Sequence, residues 1–368
     1  MLGFDLPGFL AAVGEAAPAP GDIVLAVGCP PQVEIEGSLV GLEMAGLERL
    51  TPYQTETVIL HLLAIAPAPV AARLRAEGAA HFAYSVPGVS RFRVAAFSQR
   101  GTFAVSLRKI PDRVPRLAEL ALPDVLTQAC GEGSGVVLVN GPAGSGRTTS
   151  LAAMVAEINA TRSCHVVTVE DPIEFLHRHQ RATVNQREVG IDTPSLAVGL
   201  AEALWQGAQV ILASEVRSAE EARLLLEAAE TGHLVLSTVR GFDTAGALRR
   251  LLGFFDSEEQ NEVRQRLAGV LRWSFAQRLL TLEQGRRAVV EVWRATRATL
   301  ASLVGGPLDS SSLAEVLRDR EGEGQKSFDQ ELERLVRQGA LAPDKAIQAA
   351  VEPRRLEQLL ADQRGGSE

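Results

Sequence analysis

Two hydrophobic periods divide this chain. Over its first third, short stretches read as strands: Asp22–Gly28, Gln32–Glu36, Phe82–Val86, Arg91–Phe97 and Phe103–Ile110. The last three alternate apolar and polar positions, the period of a half-buried strand. Pro30-Pro31, Gly37, Pro87-Gly88 and Arg100-Gly101 supply turns between them. Thr51–Ile65 has helical spacing and is stopped by the proline-rich APAPV; residues 1–20 predict a short helix and a linker ending in AAPAPG. From Leu126 onward the pattern changes. Val136–Val139, His165–Val169, Val210–Ala213 and Leu234–Leu236 are apolar runs with helical segments between them, which predicts a parallel sheet covered by helices on both faces. After Arg294 only helical patterns remain, broken at Gly305-Gly306-Pro307 and Gly322-Glu323-Gly324. They end in helices over Phe328–Gln338 and Asp344–Leu360 and a frayed tail over Gly365–Glu368. The expected organisation is an α/β protein: an α+β domain over residues 1–110, a linker over 111–125 (with two prolines between Ile110 and Leu122), an alternating domain over 126–294 and a helical region over 295–368. No internal repeat is visible.

Composition narrows the class. Hydrophobic residues are 46% and charged residues 22% of the 368, an ordinary globular balance, and the net charge of -8 gives no general attraction to nucleic acid. Cys29, Cys130 and Cys164 are scattered without metal spacing and read as reduced thiols of a cytoplasmic protein. No basic leader and no membrane-length apolar run is present. His177 and His179 flank Arg178 and read as a solvated face.

The strongest chemical signal is VVLVNGPAGSGRTTS, Val136–Ser150. A strand, a glycine-rich turn and a helix follow in order, the context a phosphate-binding loop requires. Gly141, Pro142, Ala143, Gly144, Ser145 and Gly146 form the turn; Arg147, Thr148 and Thr149 open the helix. Inward backbone N–H groups and the helix N-terminus favour an anion, and Thr148 stands where a hydroxyl can reach Mg²⁺. The pattern has one defect, Arg147 in the lysine position. Two acidic candidates sit at strand ends, Glu170–Glu174 and Glu215, where doubly wound sheets place ligands; a strand-end carboxylate serves equally as a helix cap. His233 precedes the run Leu234–Leu236, as a site residue or as a core imidazole bonded to backbone.

Taken together, these segments resemble the PilT family of type IV pilus retraction ATPases within the secretion ATPase superfamily. DIVLAVGCPPQVEIEG and VPGVSRFRVAAF are similar to its N-terminal PAS-like domain, VTVEDPIEF and VNQREVGIDT to its acidic box and the segment after it. VILASEVRS is similar to its Walker B strand and AETGHLVLSTV to its histidine box. The four-cysteine zinc motif of the assembly ATPases is missing from the sequence, so the retraction branch is the nearer resemblance. The resemblance implies a PAS-like domain followed by a RecA-like domain, ATP bound between them with Mg²⁺, and a hexameric ring working on a membrane platform protein of a type IV pilus from the cytoplasmic face of the inner membrane. It assigns Gly141, Gly144, Gly146, Thr148 and Thr149 to the phosphate loop, Glu215 to the catalytic base, Glu174 to the acidic box and His233 to the histidine box. Arg91, Arg93 and Arg108 match N-terminal arginines, some of which reach a neighbouring subunit's nucleotide.

The departures are as informative. Arg147 replaces the lysine, Gly207-Ala208-Gln209 the acidic approach to Walker B, Ser214 and Ser218 a glycine and an aspartate, and Arg240 a second histidine; Ala298–Gly305 has lost the charges of the retraction signature. Two readings follow. One is a motor ATPase that hydrolyses ATP slowly to drive retraction and twitching motility. The other is a pseudo-ATPase that joins or regulates a ring of an intact PilT paralogue. A DNA-translocating relative shares the expected fold, but no basic tract supports it and no nucleic-acid partner is expected.

Overall fold

The computed structural model describes residues 5–16, 21–35, 38–86, 90–110, 113–282, 285–305, 308–318 and 324–365. The expected stretch APAP at 17–20, the turns at Gly37 and Pro87-Gly88, the start of the linker at 111–112, the breaks at Gly306-Pro307 and Gly322-Glu323, and the tail at 366–368 lie outside the described residues. The chain divides into two compact units. One comprises residues 1–114 with 170–176 and 187–195; the other comprises 115–169, 177–186 and 196–368.

The first unit is a six-stranded antiparallel sheet with helices α1 (Leu6–Ala16), α2 (Pro52–Ile65) and α3 (Ala68–Glu77). Its strands β1 (Asp22–Leu25), β2 (Gln32–Ile35), β3 (Ser38–Gly41), β4 (Ala79–Val86), β5 (Ser90–Gln99) and β6 (Thr102–Ile110) lie in the order β3-β2-β1-β6-β5-β4. Strand β4 alternates buried and accessible positions along its length, as a sheet with one covered face must. The buried residues Phe82, Phe92, Val94 and Leu107 share one core with Leu10, Ile59, Leu62 and Leu74 of the helices. Thr51 caps α2 through a reciprocal pair with Gln54. The proline-rich stretch does not end the helical region. It separates two helices, because proline, which disrupts a helix interior, is accepted in the first turn of the next helix.

The second unit is built on a seven-stranded sheet of β7 (Gly135–Asn140), β8 (His165–Glu170), β9 (Thr183–Glu188), β10 (Val210–Glu215), β11 (Leu234–Thr238), β12 (Leu271–Leu282) and β13 (Gly285–Arg294), in the order β13-β12-β7-β11-β10-β8-β9. Strands β12, β7, β11, β10 and β8 pair in parallel, and β13 closes one edge antiparallel to β12. β7 and β11 are buried at every position, which is why they read as unbroken apolar runs. The β12–β13 hairpin was not foreseen: its polar residues, among them Arg278, Arg286 and Arg287, interrupt the apolar signal.

Helices α5 (Arg147–Thr161), α6 (Leu196–Trp205), α7 (Ala219–Glu230) and α8 (Thr244–Leu252) follow the strands they serve. Beyond β13 a smaller core gathers Phe328, Leu332, Leu335, Leu341, Ala346, Leu356 and Leu360 around Val289. The expected single helix over Asp344–Leu360 is two, α13 (Pro343–Ala349) and α14 (Pro353–Gly365) in the full count of fourteen helices among the described residues. Pro353 cannot continue a helix, and Asp329 accepts the Val351 and Glu352 N–H groups exposed at the break. Among the described residues, no helix is long and apolar enough to cross a membrane.

Candidate functional site

Strands β7, β11 and β10 are neighbours, and their C-terminal ends bring together Asn140, Thr238 and Glu215; Glu215 pairs in register with Thr238. This is the edge at which parallel sheets place ligands. Asn140 braces it, donating to Ser274 Oγ at 2.8 Å and accepting from the Val239 N–H at 3.3 Å.

The phosphate loop leaves β7 at Gly141, where a Cβ would lie 2.3 Å from the Gln277 carbonyl oxygen. Gly146, at φ 88°, is the N-cap of α5 and adopts a left-handed conformation that suits glycine. Gln277 of β12 holds the turn: its Nε2 donates to the Ser145 carbonyl at 2.6 Å and its Oε1 accepts from Ser150 Oγ at 2.7 Å. No side chain caps α5, so its first-turn N–H groups remain available to an anion. Ala143, Gly144 and Thr148 are exposed, Pro142 and Thr149 are half-buried, and the buried Ser145 Oγ has no hydrogen-bond partner. The loop therefore fits a phosphate chain, and the exposed Thr148 hydroxyl fits a hydrated cation beside it. Among the described residues no cluster of three or more His, Cys, Asp or Glu groups is placed to hold a metal by itself.

Arg147 turns toward Glu215. Its guanidinium donates to Thr238 Oγ1 at 3.0 Å and lies 3.6 Å from Glu215 Oε2, with side chains 12% and 9% exposed. Arg240 reaches Glu215 Oε1 at 2.6 Å and Arg217 approaches the same oxygen at 3.8 Å. Burial pushes the Arg147 guanidinium below its ordinary range; Glu215 opposes that shift, while the charges of Arg240 and Arg217 add to it. Arg147 and Arg240, far apart in the chain, thus meet on one carboxylate.

A second array lies wholly within the first unit. Arg91 donates to the Ile173 carbonyl at 3.1 and 3.3 Å and to Ser85 Oγ at 2.9 Å, and lies 3.7 Å from Glu188. Arg93 pairs with Glu174 at 3.3 Å, and Arg108 grips Asp22 through two bonds of 2.5 and 2.7 Å. Burial raises the Glu174 carboxyl above its usual range, against the pull of Arg93 and Arg108. Of the three candidate arginines, Arg93 pairs with Glu174 and Arg91 with the neighbouring Ile173 carbonyl, while Arg108 is bonded to Asp22 of β1.

His233 is not brought to the phosphate loop. It precedes β11 at the level of Gly135, the opposite end of the sheet from Asn140, about 17 Å away at the strand rise per residue. Its Nδ1 lies 2.9 Å from the Ala228 carbonyl, which can only accept, so this nitrogen donates and ties off helix α7. The backbone-bonded reading of this histidine is the one the geometry matches. Of the expected solvated face, Arg178 and His179 are exposed, while His177 is half-buried and desolvation lowers its imidazole to about 4. Other departures do local work. Ser218 caps α7 with Glu221, Gly207 makes a turn at φ 68°, and Gln209 accepts the His165 N–H at 2.6 Å. Gln277 escaped the sequence reading, because a glutamine in a hairpin matches no motif, and Thr238 was read within AETGHLVLSTV with no role of its own.

Comparison with known proteins agrees with this architecture. The family model described as Type II/IV secretion system protein matches residues 76–320. The chain is 35% identical over 329 residues to the type IV pilus ATPase PilU of Pseudomonas aeruginosa, spanning 89% of this chain and 84% of that protein. It is 37% identical over 279 residues to the PilT retraction ATPase of the same organism, spanning 75% and 79% of the two. The crystal structure of the pilus retraction motor PilT with bound ADP matches with a TM-score of 0.85 at 33% identity, over 97% of this chain and 100% of that one.

Proposed function

The chain belongs to the Type II/IV secretion system protein family, on the PilT-like side of it, and on that footing we propose that it is a nucleotide-driven motor of the pilus-retraction type. It binds ATP at Gly141–Thr149, with the backbone of the turn and the first turn of α5 against the phosphates. Thr148 would hold Mg²⁺, which would supply positive charge for the transferring phosphoryl group. Glu215 is the base that orients water. The subunits form a ring, a hexamer of this chain or a mixed ring with a PilT paralogue. Either Arg93 or Arg108 faces the next subunit's nucleotide, being more exposed than Arg91. The ring would work on a pilus platform protein at the membrane.

The observation that carries slow rather than fast hydrolysis is the pairing of Glu215 with Arg147 and Arg240. A carboxylate with guanidinium groups on both oxygens has neither oxygen open to an attacking water until one of them leaves. The same observation favours the pseudo-ATPase reading if neither leaves. Nucleotide binding, steady-state ATPase activity and solution mass with Mg²⁺ test the proposal, for the chain alone and mixed with a PilT paralogue. The expected results are ATP binding, turnover below the roughly 1–100 per second typical of kinases, and a ring-sized mass. Binding without turnover that changes a paralogue's activity selects the pseudo-ATPase, and failure to bind ATP or ADP refutes both.

A further inference from the structure

The cluster around Glu215 holds more positive charge than one carboxylate balances. Arg147 and Arg240 lie 3.6 and 2.6 Å from its two oxygens, two cations on one anion, and Arg217, which has further interactions, approaches at 3.8 Å. The cations feel one another, since both Arg240 and Arg217 disfavour the charge on Arg147. A surplus of like charge beside the bare N-terminus of α5 is an anion site.

The three arginines are not equally free to answer an incoming anion. Arg147 is mostly buried and also donates to Thr238. Arg217 is the most distant, and it has further interactions. Arg240 stands on the segment after β11 rather than on a regular element, with its side chain 50% exposed. One carboxylate separates its guanidinium from that of Arg147, the residue that precedes Thr148 in the phosphate loop.

We propose that Arg240 is the residue by which this site distinguishes a nucleoside triphosphate from a diphosphate. With no γ-phosphate, Arg240 stays on Glu215 and holds the carboxylate. With one, its planar fork transfers to the phosphate oxygens, which carry more charge and more acceptors than a carboxylate, and Glu215 Oε1 is released while Arg147 keeps Oε2. The same side chain thus senses the substrate and frees the base. This rests on the nucleotide-binding reading above.

Calorimetric titration with Mg²⁺ and either ADP or a non-hydrolysable ATP analogue tests it, for the natural protein, Arg240→Gln and Arg240→Lys. Arg240→Gln is expected to lose about tenfold in analogue affinity, the lower end for a hydrogen bond to a charged group, because Glu215 no longer has to be vacated. Its ADP affinity should move less than twofold. Arg240→Lys should fall between the two in analogue affinity. If both nucleotides weaken together in Arg240→Gln, or the ratio of affinities stays unchanged, the assignment is wrong while nucleotide binding stands. If the natural protein binds neither nucleotide, the proposed function fails first.

Discussion

Glu215→Gln perturbs the site at its most charged point. The substitution keeps the size of the side chain and removes the negative charge that offsets Arg147. Arg147 is 12% exposed, so water cannot replace what it loses. Removing one partner of a buried pair costs about 3–5 kcal/mol, whereas the half-exposed Arg217 and Arg240 pairs are each worth under about 1 kcal/mol. The amide oxygen still accepts one bond from Arg240, which places the loss near about 3 kcal/mol, the lower end of that range. The urea midpoint without nucleotide should therefore drop clearly. Phosphates restore negative charge to the cluster, so saturating ATP should narrow the gap between variant and natural protein. Hydrolysis should vanish, because the amide does not accept a proton from water at neutral pH. Equal urea midpoints without nucleotide, or a gap that ATP leaves untouched, would refute the view of Glu215 as the counter-charge of this cluster. Unchanged turnover would remove it from the base role.

Three further outcomes are expected. Arg147→Lys should raise turnover about tenfold with a smaller change in affinity, since misalignment at a reacting phosphate can cost on the order of 100-fold; steady-state rates beside binding constants decide it, and a lysine variant no faster than the natural protein counts against it. Gln277→Ala, which releases both the Ser145 carbonyl and Ser150, should weaken ADP binding about tenfold, a loss of 1.4 kcal/mol that calorimetry resolves; unchanged affinity would mean the loop holds its shape unaided. Glu291 is fully buried beside Asp243, and burial first, then that charge, pushes its carboxyl up to about 7. A raised acid makes the native state bind more protons than the unfolded chain between pH 4.5 and about 7, so stability falls as pH rises through that window, by about 3 kcal/mol in all. Glu291→Gln keeps the acceptor for the Thr244 N–H and removes the charge, so its melting temperature should gain on the natural protein from pH 5 to pH 8 and then level off. A pH-independent difference would contradict this.

The sequence by itself determined the elements whose residues carry their own local physics. Val136–Val139 had to be a buried strand, because a run of that length without polar atoms is stable only when covered on both faces. Gly141–Gly146 had to be a tight turn before a helix, because three glycines in six residues free the backbone for conformations such as the positive φ at Gly146. Thr51–Ile65 had helical spacing, and the structure adds the local Thr51–Gln54 pair that caps this helix. The β12–β13 hairpin stayed hidden because strand pairing is a long-range matter, and polar residues that face neighbouring elements break the pattern within a strand. Only the tertiary structure decided the site itself. Arg147, Glu215 and Arg240 are far apart in the chain, and each reads in sequence as a separate departure or a separate motif. The parallel order β7-β11-β10 aligns their strand ends, so they become one charge cluster. The same order sends His233 to the opposite end of the sheet, because a residue before a parallel strand and a residue after it are separated by the full length of that strand.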